Sequence, residues 1–358
     1  MPSLKEIKGR INSISSTLAI TSAMKMVAAA KLQKAQMAIQ NMLPYERRLY
    51  SMLVDLMGAM NISAAASEDG SVRGSGSAER GFDQSGDRLS LSNRHDLAGM
   101  DGAYSLMAQR EVRKVAIVAF ASNSSLCGAF NSNAIREATA VINEYRASGL
   151  GDADITVYSV GRKMAEAMKK LGFPSPADFT KMSDSPSYDA ASALAQELFD
   201  GFVSGRFDKV ELVYNHYKST SSQPTTRQTY LPLSLADAIA DLQAGKIADS
   251  ASESDTNRGA EPVGAPVVRQ GSPTTEDLIV EPSKEELIAT LLPKVIRLRI
   301  FTTLLDSAAA EHAARTVAMQ LATDNGNDLL QELTLEYNKG RQQKITSEIL
   351  DLVGGSMQ

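Results

Sequence analysis

LKEIKGRINSISSTLAITSAMKMVAAAKLQKAQMAIQNMLPYERRLYSMLVDLMGAM, residues 4–60, is the stretch from which the fold follows. Taken every third or fourth residue it gives Leu4, Ile7, Ile11, Ile14, Leu18, Thr21, Lys25, Ala28, Leu32, Ala35, Ile39, Met42, Glu46, Leu49, Leu53, Leu56 and Met60. Only Thr21, Lys25 and Glu46 interrupt an apolar seam kept up for about eight heptads, the pattern of a coiled coil rather than of a helix in a globular core. One helix of this length would span about 85 Å. Pro44 should kink it, or loosen one turn, without ending the pattern. Thr21, Lys25, Ala28 and Ala35 are small or charged. There a partner helix can come close but little apolar area is buried, so this middle stretch is expected to be soft and to face something besides its partner.

A seam that long needs a second helix, and the other end of the chain supplies one. Ser283-Lys-Glu-Glu286 is a capping box preceded by Pro282. Apolar positions follow at Leu287, Leu291, Val295, Leu298, Phe301, Leu305, Met319, Leu330, Leu333, Ile345, Ile349 and Leu352. One helix over this stretch would span roughly 105 Å. Asn325-Gly326 and Gly340 are possible stops, since glycine costs about 1 kcal/mol against alanine inside a helix. Two terminal helices of similar length pair most economically antiparallel, with whatever lies between them set to one side.

What lies between reads as a compact α/β unit. Val112–Phe120, Ile155–Val160 and Lys209–Tyr217 are strands, and Thr225–Leu233 is an edge strand. Asn131–Ala147, Gly161–Leu171 and Tyr188–Val203 are helices, the second stopped by Gly172. Alternating strands and helices imply a mainly parallel, helix-covered sheet. The organisation is therefore a coiled-coil helix over 1–60, a Ser/Gly-rich insertion or loop over 61–110, the α/β domain over 111–235, an acidic loop over 236–282 and a second coiled-coil helix over 283–358.

Composition excludes several classes. A net charge of −5 argues against bulk nucleic-acid binding, yet residues 1–60 hold eight Lys/Arg against three Asp/Glu, which suggests an acidic protein partner. The single cysteine, Cys127, rules out a disulfide framework, and no apolar run approaches the roughly 20 residues that span a bilayer. His95, His216 and His312 have no metal-ligand spacing. Ser124–Asn131 follows the first strand, where α/β folds bind phosphate, but it has one glycine and neither GxGxxG nor Gly-Lys-Ser/Thr. It reads as a tight turn with a buried thiol. Glu311 and His312 point about 100° apart on a helix and are read as separate contacts. No catalytic residue, cofactor or metal is expected. The alternative is a nucleotide- or phosphate-binding α/β module with coiled-coil arms.

Leu4–Ile14 and Ile20–Gln36 closely resemble the start of the gamma subunits of F-type ATP synthases. Glu281-Pro-Ser, Glu311-His-Ala-Ala-Arg315, Leu333–Lys339 and Arg341–Ile349 resemble their C-terminal helix, and Leu126–Asn131 and Leu212–Asn215 their central domain. The resemblance implies an antiparallel coiled coil plus a Rossmann-like central α/β domain. It also implies a rotor in a ring of three alpha and three beta subunits, joined through an epsilon subunit to the membrane c-ring. Driven by protons or sodium, it would cycle the beta sites while doing no chemistry itself. Met24 and Lys25 match the place where the shaft meets an acidic beta loop. Arg341, Gln342 and Thr346 match further beta contacts, and Ile349, Leu352 and Val353 the apolar tip turning in its sleeve. The family's usual Ser-Asp-Arg-Gly is here Ser122-Asn-Ser-Ser125, without its charge pair, and Gly326 and Gly340 replace alanines, which should soften the helix. Residues 61–110 look like an insertion. A start without an Arg/Ser-rich leader is read as bacterial, which would place the chain at the cytoplasmic face of the inner membrane through its partners.

Overall fold

In the computed structural model, which describes residues 3–69, 110–233, 281 and 283–356, each end of the chain is one long helix. Helix α1 is Leu4–Asp69 and helix α6 is Lys284–Ser356, 66 and 73 residues, or about 99 and 110 Å at 1.5 Å per residue. Between them come β1 (Val115–Phe120), α2 (Phe130–Ala147), a 3-10 turn (Asp152–Asp154), β2 (Ile155–Val160), α3 (Arg162–Lys170), α4 (Thr180–Asp184), α5 (Tyr188–Val203), β3 (Lys209–Asn215) and β4 (Thr225–Leu231). Helix α1 passes the expected boundary at residue 60 and continues to Asp69. Of the two expected loops, residues 70–109 and 234–280 lie outside the described residues.

The seam read from the sequence is the face that α1 turns inward. Ile7, Ala28, Leu32, Leu49, Leu53 and Leu56 are buried, and Glu46 with them. Arg299 of α6 reaches that buried carboxylate at 3.3 Å, so a charge on the seam is matched from across the pair. Further along, Thr323 Oγ1 donates to Thr21 Oγ1 at 3.1 Å. In the stretch expected to be soft, Thr21, Lys25 and Ala35 are partly exposed. Ala28 is 2% exposed, and Leu32 packs on Ala309 and Ala313, where alanine meets alanine and the helices approach closely.

Neither Gly326 nor Gly340 stops α6, and neither is simply a soft point. A Cβ built on Gly326 would lie 2.7 Å from Leu18 Cδ2, and one on Gly340 3.1 Å from Leu4 Cδ2. Each glycine is the hole that receives a leucine knob of α1. Helix propensity is given up here for close packing. Pro44 and Pro293 also lie inside continuous helices.

The sheet order is β2-β1-β3-β4, with β1 parallel to both neighbours and β4 antiparallel to β3 at the edge. Strand β1, VAIVAF, is apolar at every position because both of its faces are covered. Val115, Ile117 and Ala119 meet Val141 and Ile142 of α2 and Met164 and Met168 of α3. Ala116, Val118 and Phe120 belong to the larger core with α5, the Leu49–Leu56 part of α1 and the Ile288–Leu304 part of α6. Ser283 caps α6 as expected, accepting from Glu286 N at 3.2 Å. Leu287 and Leu291, however, are only partly buried, while their neighbours Ile288 and Leu292 enter the core. Helix α4 was not anticipated; five residues are too few to show a period.

One buried carboxylate ties the edge strand down. Glu211 on β3 is 1% exposed and receives Arg227 Nε of β4, Lys209 Nζ and the Tyr145 hydroxyl, each at 2.7 Å. Burial acts to raise its pKa, but these partners bring it below the ordinary value.

The knob-and-hole reading of the glycines has a direct check. Gly326→Ala alone should stabilise the chain by clearly less than the roughly 1 kcal/mol of its propensity gain, because Leu18 must move. In a Leu18→Ala background the full gain should appear. Equal effects in the two backgrounds, measured by denaturant unfolding, would refute the contact.

Candidate functional site

Two parts of the molecule could act on something else: the outer surface of the paired helices, and the carboxyl end of the sheet. The register Leu4 to Gly340 and Leu18 to Gly326 sets the level of every residue on the shaft. Met24 and Lys25 are half-buried at the edge of the seam. Around them lie apolar side chains that this shaft leaves in the open: Ile20, Met26 and Val27 on α1, Val317 and Leu321 on α6. Isolated exposed apolar residues are ordinary, but several at one level of a two-helix rod make this a candidate surface for a partner.

Arg341, Gln342 and Thr346 sit at a different level. Helix α6 runs on past Leu4, and all three are exposed on this extension. Along the axis they are about 33 to 40 Å from Lys25 at 1.5 Å per residue, so the two groups of expected contact residues do not come together. The Thr346 hydroxyl turns inward, donating to Gln342 O at 2.9 Å. Ile345, Ile349, Leu350, Leu352 and Val353 are all about half exposed or more. A single helix of this length is marginal in water, and an apolar one needs a sheath.

The sequence pointed to Met24, Lys25 and the tip but missed Ile20, Val27, Val317 and Leu321. Their signal was available: they are apolar residues off the heptad seam.

At the other part, β1 has β2 on one side and β3 on the other. The crevice between the carboxyl ends of β1 and β3 is where open α/β sheets bind ligands. Here α6 fills it. Cys127 and Phe130 from the loop after β1, and Tyr217 from the turn after β3, close on Ala310 and Ala314. Arg315 Nη2 donates to Ser124 Oγ at 2.7 Å, and a Cβ on Gly128 would come within 3.8 Å of Ala318.

The loop's own polar groups are spent internally. Asn131 Oδ1 accepts from Ser122 N and Oγ at 3.0 Å, and its Nδ2 donates to Ser124 O and Cys127 Sγ at 3.1 Å. Leu126 and Gly128 take positive φ to make the turn. The place of a phosphate cradle has become a socket for a helix. Lacking a charge pair of its own, the loop is held by arginines from elsewhere, Arg315 and also Arg162, whose Nη2 donates to Asn123 O at 2.7 Å.

The titratable groups of this socket have separate duties. Glu311 is buried and pairs with Arg315 at 2.6 Å; burial nevertheless pushes its carboxyl above the ordinary value. His312 is turned elsewhere. Burial, with Arg315 and Lys31 nearby, pushes its imidazole down to about 4, and its Nδ1 has no hydrogen-bond partner among the described residues. Adjacent in sequence, the two side chains point about 100° apart on the helix and only Glu311 is paired, with Arg315. Asp306 of α6 accepts from Tyr217 N at 2.9 Å and lies 2.6 Å from His216 Nδ1. That bond raises the His216 pKa.

The chain matches the ATP synthase family over residues 3–357. It is 47% identical over 357 residues to the ATP synthase gamma chain of Phocaeicola vulgatus, and 45% over 358 residues to that of Bacteroides thetaiotaomicron, covering 100% of each pair. Against the Flavobacterium johnsoniae gamma chain it is 35% identical over 356 residues, covering 99% of this chain and 98% of that one. Matches over the whole of both chains mean that these Bacteroides and Phocaeicola relatives are of closely similar length. Among solved structures, the fold is similar to a chain of the Euglena gracilis mitochondrial ATP synthase with a TM-score of 0.54, at 18% identity, covering 99% of this chain and 93% of that one. A second, titled as the rotor of that enzyme, gives 0.51 at 18% identity over 96% and 98%.

The His216–Asp306 pair makes stability depend on pH in a definite direction. Because the folded-state pKa of His216 is raised, its contribution is full below the ordinary value of about 6.5 and is lost as pH rises through the folded value. The melting-temperature difference between the native chain and Asp306→Asn should therefore shrink as pH is raised. A difference that stays constant across neutral pH would show that the imidazolium contributes nothing.

Proposed function

From the membership of this chain in the ATP synthase gamma-chain family, we infer that it is the rotating central-stalk subunit of an F-type ATP synthase. The observation that carries the reading is the paired shaft: α1 and α6 run antiparallel, and α6 extends past Leu4 as a half-exposed apolar tip. Such a rod turns inside a sleeve of three alpha and three beta subunits. Its base, through an epsilon subunit, sits on the membrane c-ring, whose ion-driven rotation turns it. The chain itself carries no chemistry; the catalytic sites belong to the beta subunits. It reaches the membrane through its partners, at the cytoplasmic face of a bacterial inner membrane.

The mechanism follows from what a rod can do. A shaft made of two unlike helices presents a different face to each beta subunit at any instant. A contact favouring one beta conformation shifts that site's equilibrium only by the difference in contact energy between its states. Rotation moves that bias from one site to the next. The belt of Ile20, Met26, Val27, Val317 and Leu321 suits this work. Apolar contact is non-directional, so it can be made and broken at successive angles without unmatched hydrogen bonds, and methionine adapts its shape to each.

Charged contacts set the angles that matter. Lys25, beside this belt, is assigned to an acidic loop of the beta subunit, and Arg341, Gln342 and Thr346 to a second beta contact further up. Ile349, Leu352 and Val353 form the bearing tip.

Co-purification tests the reading as a whole: the tagged chain should bring down an alpha/beta hexamer and a small epsilon-like subunit, and recovery of the chain alone would refute it. Lys25→Glu should set like charges against each other at a cost of roughly 1 kcal/mol, weakening coupling by about fivefold at 1.4 kcal/mol per tenfold. Ion pumping per ATP hydrolysed, measured in vesicles, reads that loss. Undiminished pumping would remove Lys25 from the contact.

A further inference from the structure

We propose that the turn between β3 and β4 is a clasp that carries torque from the central domain to both shaft helices, with Asp306 as its positioning residue. The proposal rests on the rotor reading above. It concerns the place where the shaft leaves the domain, and therefore where twist must pass from one to the other.

Leu304 is the last residue of α6 in the larger apolar core. Over the next turns the apolar clusters that α6 forms with α1 and the socket loops are built on alanines, Ala309 and Ala313 with Leu32, and Ala310 and Ala314 with Cys127 and Phe130, with Leu305 buried beside them. Alanine lets the elements come close but does not interlock, and apolar contact has no preferred direction. At this level, resistance to turning about the helix axis is strengthened by directional bonds.

The β3–β4 turn supplies them to both helices. Asp306 of α6 takes the Tyr217 backbone N–H on Oδ1 at 2.9 Å, and its Oδ2 lies 2.6 Å from His216 Nδ1. From α1, Gln36 Nε2 donates to the Tyr217 hydroxyl at 2.5 Å. Tyr217 packs on both alanine clusters, Leu32 with Ala309 and Ala313, and Cys127 and Phe130 with Ala310.

The turn is itself braced. His216 N donates to Pro224 O at 2.9 Å, Ser219 and Ser222 exchange backbone bonds at 3.1 and 3.2 Å, and Gln223 Nε2 donates to Ser219 O at 2.9 Å. At its root, buried Asn215 donates to Phe130 O at 3.1 Å and accepts from Thr225 Oγ1 at 2.7 Å. A turn fixed to the sheet in this way cannot absorb twist, so it hands twist on to Asp306 and Gln36.

The test uses the assembled complex with its hexamer fixed and a bead on the central domain, reading the angular variance of the bead while the rotor is paused. Asp306→Ala should widen that variance by about twofold, since the Asp306 contact is one of a few charge-assisted ties at this exit, beside Arg315 and the Arg299–Glu46 pair. Asp306→Asn, which keeps an acceptor for Tyr217 N, should widen it less. Gln36→Leu, a change on the helix surface, should widen it too and carries the test alone if Asp306→Ala does not assemble. A merely structural role would lower the yield of complex and leave the variance of the assembled molecules unchanged. Unchanged variance in Gln36→Leu and in whichever Asp306 variants assemble overturns the clasp while leaving the rotor standing. A native complex whose bead does not turn on ATP overturns the rotor reading, and the clasp with it.

Discussion

The antiparallel packing of α1 against α6 is the constraint on which everything else depends. A helix of about 100 Å cannot persist alone in water, because its apolar seam would be exposed over its whole length. The seam from Ile7 to Leu56 must be covered, and among the described residues the segment long enough to cover it lies at the other terminus. Pairing the two ends places the intervening residues to one side, on a core shared with Leu49–Leu56 of α1 and Ile288–Leu304 of α6. Leu4 on Gly340 and Leu18 on Gly326 then fix the register. Because α6 outruns α1 at that register, the tip beyond Gly340 projects on its own.

The same pairing changes what the central domain can be. Its sheet order and the loop after β1 are those of a fold that binds ligands between diverging strands. Helix α6 comes from outside that domain and occupies the crevice, with Arg315 on Ser124 and Asp306 on Tyr217. A site that in another chain would hold phosphate here holds a helix. The gain is a rigid joint, made at the point where force has to pass between a globular body and a rod.

The buried carboxylates among the described residues are tolerated because each has a partner of the right kind. Glu311 has Arg315, Glu46 has Arg299, and Glu211 has three donors at the edge of the sheet. Such contacts add little net stability over well-packed apolar ones. What they add is direction, which alanine-on-alanine contact lacks, and direction is what a torque-bearing junction requires.

By itself the sequence determined the two terminal helices, the strand-and-helix order of the middle and the absence of a phosphate-binding glycine pattern. Each is a local matter: a period of three to four residues, a capping serine at Ser283, a run such as VAIVAF. It also pointed through resemblance to Met24, Lys25 and the tip as working surface. Only the tertiary structure decided how the parts meet. Gly326 and Gly340 look like helix stops until the leucines that fill them are seen, and Ala28 looks weak until the helices close on it. Residues such as Ala309, Ala310 and Ala313 give almost no signal in a sequence, since alanine suits a surface or a tight interface equally well. His216, Asp306 and Gln36 are far apart in the chain and ordinary in type, and their meeting at one turn is set by the register of two helices about 100 Å long.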